Sequence, residues 1–410
     1  MAKKKKLTKK ERKARIEKAK KRIRRIRYTF ISVIILIAIL IFAYFIFFDR
    51  TDPYHTASQL KLIKGFEINV FADRFSSFDI SFPGTDTGPR MMKVHDDILF
   101  VAVPRKGKVF ALRDNNKDGV ADVQSVFMRG LKKPHSIDTY NDWVYIAEEH
   151  QVIRVKWDPK SLKALPKTEE VIISDLPTGG HWTRTIAIHN NQLYLSIGSS
   201  CNNCIEEDVR RGTVLQCELD RDVCDPFAAG VRNAVGLEWE HDRLFATENG
   251  RDWLGDDFPP DEINILEKGN NYGWPYCHAR NEPDPELGTE EFCDPLKLPV
   301  FDINAHSAPL GLTFYRGKSF PVEYTGDLFV AYHGSWNRKT PIGYKVVRIF
   351  VEDDHRGIRL LGVEDFVSGF RARNGDTFGR PVDIVNWIDG SLLITDDKAG
   401  AIYRVSYVGD

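Results

Sequence analysis

An all-β, six-bladed β-propeller, preceded by one N-terminal transmembrane helix, is the fold that this 410-residue chain predicts. The first observation behind it is a phrase that recurs six times. A polar residue leads an apolar stretch, a turn follows, and a second strand rich in Leu, Phe, Tyr, Val and Ile begins. The second strands start at Ile98, Trp143, Gln192, Arg243, Asp327 and Ser391, so their starts lie 45, 49, 51, 84 and 64 residues apart. Multistranded units recurring every 40–50 residues or so mark propeller blades, whose innermost strands share one axis. The second observation is what leads each innermost strand: Arg90, His135, His181 with Arg184, Arg232 with Asn233, His306, and Arg380. The third is the N-terminus, where a basic run meets an uncharged apolar one.

The elements follow in order. Residues 1–28 hold 16 Lys and Arg against Glu11 and Glu17, a charge of +14; the whole chain is neutral, so the remainder carries −14. Such a split places the two parts in different environments. Thr29 to Phe48 is uncharged (TFISVIILIAILIFAYFIFF), long enough for one helical crossing, and the basic flank sets the N-terminus in the cytoplasm. No small-x-small cleavage site follows, so an uncleaved anchor is expected. The predicted organisation is a basic cytoplasmic segment (1–28), a single-pass anchor in the cell membrane (29–48), a stalk (49–64) and an extracytoplasmic propeller (65–410). Anchoring accounts for the basic run, and no nucleic-acid partner is expected.

Phe66 to Asp73 (FEINVFAD) alternates like a strand and is expected to close the ring by joining the last blade, which ends in the strand from Ala401 to Tyr407. The two longest intervals predict insertions over roughly 251–300 and 336–378. All six cysteines lie in the exported part, and proximity favours the pairs Cys201–Cys204, Cys217–Cys224 and Cys277–Cys293. The expected job of Cys201-Asn-Asn-Cys204 is stapling loops. Asp114 to Asp122 (DNNKDGVAD) begins like a calcium loop, but Ser125 stands where the closing Glu belongs; a polar hairpin is the alternative.

A ring of cations, imidazoles and one amide around an axis favours an anionic ligand; the alternative is that these residues bond to neighbouring loops. His181 is the candidate base, because an imidazole accepts a proton near neutral pH. Arg232 can stabilise charge on an acceptor oxygen, and Arg380 can bind a carboxylate. The acidic stretch from Ala246 to Asp252, continued by Asp261-Glu262, offers hard oxygen ligands for Ca²⁺.

The phrases GKVFALRDNNKDGVAD, GGHWTRT, RNAVGLEWE, ATENGRD, DEINILEKGNNYGWPYC, AHSAPLGLTFY, GDLFVAYHGSWNR and GRPVDIV cover almost the whole exported part. In them the chain resembles the pyrroloquinoline-quinone (PQQ)-dependent glucose, aldose sugar and sorbosone dehydrogenases, the sorbosone-like branch above all. The resemblance implies a six-bladed propeller that oxidises an aldose or sorbosone-like sugar, with PQQ and Ca²⁺ as cofactors. It implies His181 as general base, Arg232 and Asn233 on the quinone, and His306, Arg338 and Arg380 near it. It implies Gly250 and Arg251 as carbonyl ligands of one Ca²⁺, and Glu262 and Tyr272 at a second, structural one. Electrons would pass to a membrane quinone or a small redox carrier. Ser199 departs from the pattern, since the family's glucose enzymes carry an acid there to orient the base. Two rival functions share the fold. A non-catalytic propeller would bind glycan or protein. A metal-dependent lactonase would need carboxylates converging on the axis, where this chain has Arg and His.

Overall fold

A computed structural model describes residues 8–48, 52–73, 75, 88–354 and 357–409, without the side chains of 40–48. The N-terminal helix forms one unit and the propeller another. The helix runs Lys9–Phe48 and contains the apolar run. Among the described residues no helix is long and apolar enough to cross a membrane; part of the expected span, 40–48, lies outside the described side chains.

Six sheets of four or five strands, antiparallel except where Ala228 and Ala229 pair with Asn270 and Asn271, form the blades of the second unit, as the repeats predict. From the inside outward, blade 1 is Met92–His95, Ile98–Val103, Lys108–Arg113 and Val123–Arg129; blade 2 opens with Ser136–Tyr140 and Trp143–Ala147. Blade 3 opens with Arg184–His189 and Gln192–Ile197, and blade 4 with Ala234–Glu240 and Arg243–Glu248. Blade 5 is Pro309–Phe314, Leu328–Tyr332, Lys345–Asp354 and Gly357–Ser368. Blade 6 is Pro381–Asn386, Leu392–Asp396 and Ala401–Tyr407, and its outer strand is Phe66–Ala72 from the start of the unit. The expected ring closure is therefore present, with Phe66 opposite Tyr407 and Ile68 opposite Val405. The second strands are buried at nearly every position (BBBBBB for Ile98–Val103), since both faces pack on neighbouring blades.

Two expectations need correction. The segment read as a stalk is docked from residue 52 onward. Asp52 caps the short helix Pro53–Gln59 by accepting from the Tyr54 N–H, Thr56 is fully buried with its hydroxyl on the Phe378 carbonyl, and Lys61 pairs with Ser368 of blade 5. Most of 336–378, read as an inserted loop, is the long hairpin of blade 5; its alternating solvent-facing residues hid the strands. The first insertion is real and contains the hairpin Cys277–His278/Glu282–Pro283 and the helix Glu290–Cys293. All three cysteine pairs form as proximity suggested. The Asp114 loop is a hairpin turn whose carboxylates are spent on backbone: Asp114 accepts from Lys117 and Gly119, and Asp122 from Asn115 and Asn116.

Phe66 fastens the closure. Its ring meets Phe320, Tyr324, Phe366 and Tyr407 edge-on, with centroids 4.7 to 5.2 Å apart. Removing such a buried ring typically costs about 3–5 kcal/mol. Phe66→Ala is accordingly expected to lower the unfolding free energy of the full chain by about that amount in urea titration; a loss below about 1 kcal/mol would show that the closing strand is dispensable.

Candidate functional site

The site forms where each blade's first strand begins and its second strand ends. One backbone hydrogen bond repeats there around the ring. The N–H of Arg90 reaches Ala102, that of His135 reaches Ala147, and that of His181 reaches Ser199, at 2.8, 2.8 and 2.9 Å. In the other blades Asn249 reaches Asn233, His333 reaches Ala308, and Asp397 reaches Arg380. This repeat brings the leading residues, distant in sequence, to one end of the axis.

His181 is half-buried. Its Nδ1 lies 3.1 Å from the Ser199 carbonyl and 2.8 Å from Ser199 Oγ, whose own hydroxyl donates to the Cys201 carbonyl at 2.7 Å. A carbonyl only accepts, so Nδ1 carries the proton and Nε2 keeps its lone pair. Nε2 makes no hydrogen bond among the described residues. Burial lowers the His181 pKa to about 4, helped by the positive charge of Arg232. Ser199 thus orients the base without the negative charge that an acid would bring. Gly198 permits the close approach: a Cβ there would sit 2.6 Å from His181 Cβ and 2.8 Å from Asn233 Oδ1.

Arg232 is 4% exposed, and every edge of its guanidinium is used. Nε donates to the Asn202 carbonyl (2.9 Å), Nη1 to those of Asn249 and Gly250 (3.1 and 2.8 Å), and Nη2 to Asn202 Oδ1 (2.9 Å) and Asp252 (3.4 Å). Its sequence neighbour Asn233 differs: the backbone N–H binds Glu248, while Oδ1 is buried without a partner.

The other leading residues bond to neighbouring loops, so the alternative reading holds for their hydrogen bonds while their charges stay at the mouth. Arg184 is fully buried on the carbonyls of Pro177, His181 and Thr183. His135 sits on the Arg184 carbonyl, His306 on that of Gly255, and Arg380 on those of His333 and Gly334. Arg338 reaches the Ala305 carbonyl and Asp257. Arg90 pairs with buried Asp397 at 2.7 Å, and His333 shares that carboxylate at 3.0 Å. Asp397, His333 and Arg211, which holds the carbonyls of Thr178, Gly179 and Gly198, were not singled out from the sequence. The HGSWNR phrase pointed near His333, but its partner lies 64 residues away.

Gly250, Arg251, Glu262 and Tyr272, expected at two calcium sites, line one cavity of about 20 Å³ together with Glu248. That is room for a single ion or water. Glu248 and Glu262 face each other across paired strands. Burial raises both carboxyls, Glu262 to about 8, and Glu248 Oε2 has no hydrogen-bond partner. Glu262 accepts from Asn264, so the orphaned oxygen of Glu248 is the one that suits a hard cation. The Tyr272 hydroxyl is elsewhere, on the Ile265 carbonyl, so this residue could offer only its main chain. The Gly250 carbonyl accepts from Arg232 and keeps a second lone pair.

A family model described as TrAA12-like matches residues 84–408. The chain belongs to the TrAA12-like family. The sequence resemblance to soluble-type quinoproteins thus holds at the level of family. A protein of undescribed activity from Borreliella burgdorferi is 32% identical over 366 residues, covering 85% of this chain and 91% of its own. A pyrroloquinoline quinone-dependent pyranose dehydrogenase of Coprinopsis cinerea is 22% identical over 372 residues, 74% of this chain and half of that longer protein. The holo PQQ domain of the Coprinopsis cinerea pyranose dehydrogenase superposes with a TM-score of 0.72 at 19% identity, covering 85% of this chain and 97% of that one. A calcium structure of a Trichoderma reesei family AA12 carbohydrate-active enzyme gives 0.68 at 18%, covering 85% and 97%. These structural likenesses confirm the fold.

Asp396 yields a pH test at the mouth. It accepts from the Arg380, Lys398 and Ala399 N–H groups, and burial raises its pKa to about 7. With the folded value above the unfolded one, the folded chain binds the extra proton between about pH 4 and 7, so this group's contribution to stability falls as pH rises through that window. Asp396→Asn removes the effect. The variant's melting temperature relative to wild type is expected to climb from pH 5 to pH 8; a difference that stays flat would refute the burial of a titrating acid there.

Proposed function

We propose that this TrAA12-like chain is a PQQ-dependent dehydrogenase that oxidises the CH–OH group of an aldose or sorbosone-like sugar. The observation that carries the reading is His181: its proton sits on Nδ1 toward the Ser199 carbonyl, and its Nε2 lone pair is free at a mouth ringed by cations. Nε2 would take the proton from the sugar hydroxyl as the C–H bond breaks. When bound, the quinone supplies the acceptor for the hydride.

The residues present fit a planar, carboxylate-bearing quinone. Trp182 offers a planar face flanked by Arg90 and Lys133 at 5.7 and 5.9 Å from its ring. Arg90, Arg338 and Arg380 would balance the ligand's charge, with His306 beside them. An anion near Arg232 offsets the charge that depresses His181 and so raises the basicity of Nε2 toward the working range. Arg232 itself would act mainly through its field, because its hydrogens are committed to carbonyls. Glu248 and Glu262 would hold one Ca²⁺ in the small cavity below it.

The apolar run within the helix Lys9–Phe48, with the basic flank before it, supports a single-pass anchor with a cytoplasmic N-terminus. Three disulfides in the propeller support an oxidising, extracytoplasmic setting. An anchored mouth would deliver electrons to a membrane quinone or a small redox carrier.

Full-chain protein loaded with PQQ and Ca²⁺ is expected to reduce an artificial electron acceptor when aldoses are supplied. His181→Ala should still bind the quinone, while kcat falls about 10²–10⁴-fold, the usual worth of a general base. Absence of saturable quinone binding, or full activity in His181→Ala, would overturn the assignment.

A further inference from the structure

The Cys201–Cys204 disulfide closes a ring of four residues whose second member, Asn202, grips Arg232 twice. The Asn202 carbonyl accepts from Nε, and Oδ1 accepts from Nη2, both at 2.9 Å, so one residue covers a whole edge of the guanidinium. The remaining bonds of Asn202 fix the loop opposite: Oδ1 also accepts from the Asp252 N–H (2.7 Å) and Nδ2 donates to the Asp252 carbonyl (3.0 Å). Asp252 continues the chain of contacts to Asn337 at 2.5 Å. The same ring serves the base, since the Cys201 carbonyl receives the Ser199 hydroxyl that stands against His181 Nδ1.

Stapling surface loops does not require such contacts. A short polar loop would otherwise sample many main-chain conformations, and ring closure removes that freedom before Asn202 is asked to hold a buried cation. We propose that Asn202 is a positioning residue for Arg232, that the Cys201–Cys204 bond keeps it in place, and that this ring sets the spacing between the Arg232 charge and the His181 base. The inference rests on the dehydrogenase reading for its consequence in turnover, and on geometry alone for the hold on Arg232.

The consequence is a chain whose catalytic rate depends on the Cys201–Cys204 disulfide. In full-chain protein with PQQ and Ca²⁺, Asn202→Ala is expected to lower kcat about 10- to 100-fold through misplacement of Arg232. The sugar KM should stay within about threefold, because the hydrogen bonds of Asn202 go to Arg232 and Asp252. Cys201→Ser with Cys204→Ser should reproduce the loss of kcat, and Asn202→Asp, which keeps the accepting oxygen, should recover part of it. Ile205→Ala, exposed on the same loop, should behave as wild type. A second readout needs no quinone: the Arg232 Nη2 hydrogens, one of which Asn202 Oδ1 holds, followed by NMR in ¹⁵N-arginine protein and assigned with Arg232→Lys, should exchange with water at least about tenfold faster in Asn202→Ala. Unchanged exchange, or an unchanged kcat in a preparation whose wild type turns over, would overturn the proposal. A wild type that neither binds quinone nor turns over would defeat the dehydrogenase reading, and the exchange rates would still decide the role of Asn202.

Discussion

One buried guanidinium organises the mouth of this propeller. Arg232 donates to three main-chain carbonyls, to the Asn202 side chain and to Asp252, and so ties the end of blade 3 to the loops after blade 4. An unpaired buried cation is costly, and a cation with every donor satisfied by fixed dipoles is a stable source of field. That field falls on His181, whose pKa drops to about 4 through burial and the nearby charge. A neutral base follows from the packing around it.

The same logic explains Ser199. An acid beside the imidazole would raise its pKa and oppose Arg232. A carbonyl and a hydroxyl fix the ring orientation without adding charge, leaving the tautomer set and the electrostatics to Arg232. Glu248 and Glu262 face each other across paired strands, and burial holds both carboxyls toward their neutral form.

Much of this was legible in the sequence, and the reasons are physical. Blades announce themselves because every second strand is apolar on both faces, as ILFVAV and DLFVAY are. The closing strand was visible in the alternation of FEINVFAD. His181 stood out as the best candidate base among the three histidines that lead inner strands, His135, His181 and His306. Hydrogen-bond partners were not legible: Asp397 meets His333 and Arg90 only through the closure of blades 5, 6 and 1. Nor could the sequence show that Arg184 is fully spent on carbonyls, or that four residues assigned to two metal sites share one cavity. The docking of residues 52–62 was hidden because it rests on two buried side chains, Thr56 and Leu60, and a two-residue strand.

The central claim is a neutral His181 held by Ser199 in the field of Arg232. Its most direct test is an NMR titration of the imidazole in ¹³C-histidine protein, assigned with His181→Gln, without added quinone. The account predicts a pKa of about 4 and the Nδ1-protonated tautomer above it. A pKa at or above 6.5, or a proton found on Nε2 at neutral pH, would contradict it.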